Sequence, residues 1–168
     1  PVYMDQLGVL PLDQVAMIHG DPDDPVPGWD RGALFTHIDQ DFATALLSQA
    51  GAGVQLPMLL TEVRHIGEKT RTDVPGGSAV GGREASFAFT VIGAPDPSLF
   101  ETVLPAVADR VFAALAPWTA PHVNINFAGR LRSAEHFASA WPAEIFARLA
   151  TVRKKHDPDV VFPYGFVG

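Results

Sequence analysis

The sequence predicts an α+β domain, an antiparallel ferredoxin-like βαββαβ sheet with helices on one face and further helices toward the C-terminus. Three observations carry that prediction. Apolar residues alternate with period two in residues 57–66 and 86–93, recur at helical spacing in residues 39–50 and 97–116, and are separated by Gly- and Pro-rich turns. With 47% hydrophobic and 18% charged residues in a length of 168, the chain holds enough apolar material for one packed core, so a single domain over residues 1–168 is expected.

Taken in order, residues 14–20 are short and apolar and run into Asp21-Pro-Asp-Asp-Pro-Val-Pro-Gly28, which reads as a strand leaving into a turn. Asp39 supplies an N-cap and Gly51 a stop for a helix that places Phe42, Ala45, Leu46 and Gln49 on roughly helical spacing. Residues 57–66 set Leu60, Glu62 and Arg64 on one face and Leu59, Thr61, Val63 and His65 on the other, a strand with a polar end. Residues 67–84 are glycine-rich without apolar periodicity and are expected to form an exposed, mobile connection. Large and small residues then alternate through residues 86–93, a further strand.

Leu99, Val103, Val107, Val111 and Leu115 fall at steps of four, so residues 97–116 are expected to be helical, with Pro105 either kinking the helix or marking its true first turn. A fourth strand is expected over residues 122–128, where Val123, Ile125 and Phe127 alternate with His122, Asn124 and Asn126. Helical pieces follow at 133–140 and 143–155. Such a sheet, covered by helices on one face, leaves the other free for a ligand, a partner or a second domain.

Composition narrows the function. A net charge of -7 opposes binding to a phosphate backbone, so nucleic acid is not an expected partner. The cluster Arg148, Arg153, Lys154 and Lys155 falls in the last turns of a predicted helix, where cations oppose the C-terminal partial charge. The absence of cysteine excludes disulfides, thiolate-bound metals, a Cys nucleophile and a cysteine-linked flavin within the chain. No apolar run is long enough to cross a bilayer and no secretory pattern opens the sequence, so a cytoplasmic location without membrane partners is expected.

Four groups of residues carry candidate chemistry. The loop Pro75-Gly-Gly-Ser-Ala-Val-Gly-Gly82 lacks the Gly-Lys-Ser/Thr end of a phosphate-binding loop and the strand-to-helix setting of a dinucleotide fingerprint, which leaves a connection or a lid. His19, Asp21, Asp23 and Asp24 lack the glycine and terminal glutamate of a calcium loop, and a solvated turn is expected there rather than a metal site. Glu62 and Arg64 share a strand face. They form either a surface ion pair or, above a substrate cavity, a general base beside an anion anchor. Asn124 and Asn126 either bond neighbouring loops or present amides to a planar heterocycle such as a flavin or an aromatic substrate.

Several segments, in order, resemble one family. Ile18-His-Gly-Asp-Pro-Asp-Asp-Pro25 is similar to an Asp-Pro-x-Asp-Pro passage, Leu60-Thr-Glu-Val-Arg-His-Ile-Gly67 to a Glu-x-Arg-x-x-Gly strand, and Arg83-Glu-Ala-Ser-Phe-Ala-Phe89 to the Ala-Phe strand that follows a Gly-containing loop. Asn126-Phe127 is similar to an Asn-Phe or Asn-Tyr strand. The ending, Arg148 to Phe162, resembles a closing Arg-Leu-x-x-Val-Lys-x-x-Tyr-Asp-Pro-Asp-Asn-x-Phe pattern. The order resembles the C-terminal, substrate-side domain of berberine-bridge-enzyme-like FAD-linked oxidoreductases.

That resemblance implies a substrate sheet roofing the flavin, with Glu62 and Arg64 as catalytic residues and Asn124, Asn126 and Phe127 toward the cofactor. It implies FAD as the cofactor, a small-molecule substrate oxidised by hydride transfer, and an FAD-binding domain supplied in cis or in trans, because the pyrophosphate-binding region has no counterpart here. Departures from the family pattern are Asn124 where a Tyr is common, Glu68 for a second glycine, Val160 for an Asn, and a tail, Pro163-Tyr-Gly-Phe-Val-Gly168, without the Asn-rich ending. The alternatives on the same scaffold are a small-molecule binding or homodimerisation module, and a cofactor-independent cyclase or isomerase with Glu62 as its base.

Overall fold

A computed structural model describes residues 8–18, 24–129 and 133–163. Its centre is a three-stranded antiparallel sheet of β1 (Asp30–Phe35), β2 (Met58–His65) and β3 (Phe87–Gly93), in the order β1-β3-β2. Between β1 and β2 runs α1 (Gln40–Ala50), and after β3 runs α2 (Val103–Ala114). The C-terminal part forms α3 (Ala134–Ala138) and α4 (Ala143–His156).

Period-two alternation divides the sheet into two chemically different faces. On one, Ala33 and Phe35 of β1 and Phe89 and Val91 of β3 are buried against Phe42 of α1, Leu104, Ala108 and Val111 of α2, and Leu115 at the C-cap of α2. Phe35 meets Phe42 edge-on at 5.0 Å between ring centroids and Phe89 at 5.4 Å, so the sheet and α1 share one aromatic contact set. Burying each of these large apolar side chains contributes about 1.5–3 kcal/mol, which makes this layer the main source of the domain's cohesion. Arg31 adds a tie between β1 and α2 by pairing with Asp109 and lying 4.6 Å from the centroid of the Phe112 ring.

Local chemistry sets the element ends. The Phe42 N–H donates to Asp39 Oδ1 at 2.8 Å, the N-cap bond expected for α1, and the Gly51 N–H closes the other end on the Leu47 carbonyl. Pro105 is the third residue of α2, where its missing N–H leaves no intrahelical bond unmade, so it marks the first turn rather than a kink.

Two expected strands are corrected. Leu12–Ile18 is a 3-10 helix rather than a strand, and residues 19–20 of that expected element lie outside the described residues. The first strand is instead β1, whose Asp-Arg-Gly start lacks apolar alternation. Residues 122–128 contain a 3-10 turn, Ile125–Phe127, because the Asn124 Oδ1 accepts the Asn126 N–H at 3.0 Å and bends the backbone out of extended form. The outer edge of β1 is met by residues 118–120 through a single bridge, Phe35 with Thr119, flanked by Thr36 N–H to Trp118 and Ala120 N–H to Leu34. The α+β class and the helices on one face of the sheet hold for α1 and α2; among the described residues the sheet has three strands where four were expected for a ferredoxin-like topology.

Most of residues 69–80 are exposed, as expected of this connection, yet it is internally tied rather than open. Arg83 Nη1 donates to the Thr70 carbonyl at 2.6 Å, and its Nη2 donates to Asp73 Oδ1 at 3.0 Å and Ser78 Oγ at 2.9 Å. Donation by the Ser78 hydroxyl, then by the Val74 N–H, holds the Asp73 carboxyl below the ordinary carboxylate range. Trp141 Nε1 donates to the Ala79 carbonyl at 2.9 Å, fastening this loop to the turn between α3 and α4.

Candidate functional site

The open face of the sheet is built from what the apolar layer leaves over. β3 turns Ala88 and Thr90 to this side, β1 turns Gly32 and Leu34, and β2 turns Glu62 and Arg64. Register aligns Gly32 and Glu62 on either side of Thr90, and Leu34 and Arg64 on either side of Ala88. Small side chains in the centre and long charged ones on β2 make a trough.

Its far wall is the 3-10 turn. Gly32 carries no side chain where the Phe127 carbonyl oxygen lies against β1, and a Cβ built there would overlap that oxygen. Gly129, with φ of 78°, lets the chain pass equally close to Asp30. These two glycines seat Asn124 and Phe127 beside the sheet. A cavity of about 110 Å³ results, lined by Leu34, Glu62, Arg64, Ile66, Ala88, Thr90, Asn124 and Phe127.

The arrangement brings together Glu62, Arg64, Asn124 and Phe127 from the sequence-predicted set. Arg64 grips Glu62 with Nε to Oε1 at 3.0 Å and Nη2 to Oε1 and Oε2 at 2.9 and 3.1 Å. Its guanidinium carbon also lies 5.9 Å from the Phe127 ring centroid, near the outer limit for a cation–π contact. Arg64 thus spans the trough from the carboxylate on β2 to the aromatic wall. Asn124 spends its carbonyl oxygen on the Asn126 N–H, which leaves its amide N–H groups as the donors available to the cavity. Asn126 is exposed and does not line the cavity; its role in the turn is through its backbone.

Sequence reasoning named the charged wall and missed the floor. Thr90 and Ala88 were legible as the small positions alternating with Phe89 and Val91, whereas Gly32 and Leu34 belong to the unforeseen β1. Near the trough, His122 Nδ1 and Glu84 Oε1 lie 2.9 Å apart. His19, Asp21 and Asp23 lie outside the described residues and Asp24 is exposed. Among the described residues no group of three His, Cys, Asp or Glu side chains is placed to hold a metal ion, and no helix is long and apolar enough to cross a membrane.

No family model matches the sequence, and no curated protein matches it. Among solved structures, the fold is similar to that of 6-hydroxy-D-nicotine oxidase from Arthrobacter nicotinovorans, with a TM-score of 0.64 and 19% sequence identity. The match covers 94% of this chain and 36% of that one. What the two share is therefore a fold, with almost all of this chain corresponding to about a third of the oxidase.

Proposed function

We propose that this chain is the substrate-side portion of an FAD-dependent oxidoreductase, with the open sheet face as one wall of its reaction site. The observation that supports it most is the trough itself, where a carboxylate, a guanidinium, an amide and an aromatic ring converge over small residues. Its volume of about 110 Å³ falls short of the ~300–1,000 Å³ typical of ligand pockets, so the trough reads as half of a site that a second domain completes. The fold likeness to part of an oxidase agrees with that reading.

The residues fit a flavin's edge and a small substrate, but not the cofactor's pyrophosphate, for which no glycine-rich strand-to-helix turn is present among the described residues. FAD, when bound by the missing domain, supplies the hydride acceptor. This chain's own residues then bind and orient. The Asn124 amide donates to a carbonyl acceptor, Phe127 offers an apolar face, and Arg64 holds an anionic substrate group by exchanging part of its hold on Glu62. Glu62, so released, takes a proton from the substrate.

The test is to join the chain to the FAD-binding domain encoded upstream or in a neighbouring frame, and to record flavin absorbance and turnover. Flavin should appear only with that half present, and Glu62→Gln should lower turnover at least about a hundredfold while leaving flavin content unchanged. A longer parent that never holds flavin would sink the proposal. Turnover that persists in flavin-free protein and still depends on Glu62 would instead identify the cofactor-independent cyclase or isomerase.

A further inference from the structure

β2 is an edge strand, bonded to β3 on one side and to no strand on the other among the described residues. Which of its groups face outward follows from one bond. The Ile66 N–H donates to the Ser86 carbonyl at 2.9 Å, toward the β3 side, so in an antiparallel ladder Arg64 and Glu62 also turn their backbone groups inward. Thr61, Val63 and His65 therefore present N–H and C=O to the open edge. An unpaired edge of this kind is a template for another strand.

We propose that the edge of β2 pairs antiparallel with β2 of a second copy of this chain, about a two-fold axis through Val63. The chemistry along the strand selects that register. With the axis at Val63, Val63 opposes its own copy, Thr61 opposes His65, and the outward backbone groups bond in matched pairs. On the open sheet face, Glu62 then lies opposite Arg64 of the second copy, Arg64 opposite its Glu62, and Leu60 opposite its Ile66. Moving the axis to Glu62 or to Arg64 sets like charges directly against each other, which destabilises a sheet pair. Moving it to Thr61 or His65 sets Arg64 against Met58 or Ile66 and leaves neither charge matched. The strand is a chemical palindrome only about Val63.

Glu62 and Arg64 are already held side by side within each chain, so the second copy brings two such pairs together as a ring of four alternating charges. The exposure of Leu60, at 40%, supplies apolar area next to that ring. The two troughs come to lie side by side, with Arg64 of each copy next to Glu62 of the other. This assembly is independent of the flavin reading.

Sedimentation equilibrium at low salt, where exposed charges are least screened, tests it. The native chain should form dimers, and Arg64→Glu or Glu62→Arg alone should weaken them about tenfold or more by opposing like charges. An equimolar mixture of the two variants should dimerise again. In that mixture neither chain has an internal Glu62–Arg64 pair, so recovery reads the contact between chains alone. A native chain that stays monomeric at about 100 μM, a dimer indifferent to either reversal, or a mixture that stays monomeric overturns the proposal. Should the variants misfold, hydrogen exchange in the native chain decides. The Val63 amide should exchange faster on dilution; exchange independent of concentration, as when a strand of a longer parent covers the edge, overturns the second copy as its occupant.

Discussion

At the scale of single residues, positions that tolerate no side chain or an unfavoured one define the fold most sharply. Gly32 is required by the approach of the Phe127 carbonyl, which is backbone and has nowhere to retreat. Gly32→Ala should destabilise the domain by about 2 kcal/mol or more, through overpacking and displacement of the turn, as read by urea denaturation. Val160 is the converse case. It has φ of 52°, a left-handed conformation that a β-branched side chain resists, in a turn closed by Val161 and Phe162 N–H groups on the Asp157 carboxylate. Asparagine adopts this conformation at lower cost, so Val160→Asn should raise the thermal midpoint, equivalent to about 1 kcal/mol. Val160 therefore costs stability without breaking the turn.

At the scale of elements, those that announced themselves in the sequence are those whose own side chains fix them. α1 carries its cap, α2 its steps of four, and β2 and β3 their alternation, so local pattern and tertiary role agree. Where the two part, the sequence misleads. β1 is held by neighbours rather than by pattern: Gly32 interrupts it to admit Phe127, and Arg31 faces α2 as a charge. The alternation at residues 122–128 is overruled by one amide that caps its own backbone. The candidate site was accordingly half legible: Glu62 and Arg64 share a strand face as read, whereas Asn124 and Phe127, which the alternation set on opposite faces of a strand, both reach the cavity from a 3-10 turn.

The α1 cap also fixes a pH dependence. Donation by the Phe42 N–H is the largest effect lowering the Asp39 carboxyl below its ordinary value. A depressed folded pKa gives stability that is present above the unfolded value, about 3.9, and is lost as pH falls through the folded one. Asp39→Ala should therefore lower the thermal midpoint at neutral pH, and the gap from the native chain should narrow below about pH 4. A gap that stays constant down to pH 2 would assign the cap's effect to geometry rather than to charge.

At the scale of the whole molecule, one sheet serves two masters. Its apolar face, sealed by α1 and α2, supplies the cohesion, and its other face is left as a trough floored by small residues with Glu62, Arg64 and Asn124 at its sides. A trough walled by β2 and the 3-10 turn, beside an edge whose backbone groups are unmatched among the described residues, is the form expected of a surface that a further element completes. That expectation fits a match of 94% of this chain to 36% of an oxidase. The two proposals above both draw on Glu62 and Arg64: an FAD-binding domain would close over the trough they line, whereas a second copy would pair with the backbone edge of their strand.

The bond from Trp141 to the Ala79 carbonyl has a use beyond holding α3 and α4 against the loop. Trp29 and Trp118 sit in the core at 2% and 9% exposure, while Trp141 meets Phe137 edge-on and stacks with Phe146 at the clasp. The molecule therefore carries two sets of intrinsic fluorophores in different surroundings. Light emitted by the first set reports on the sheet layer; light emitted by the second reports on whether the C-terminal helices are still attached to it.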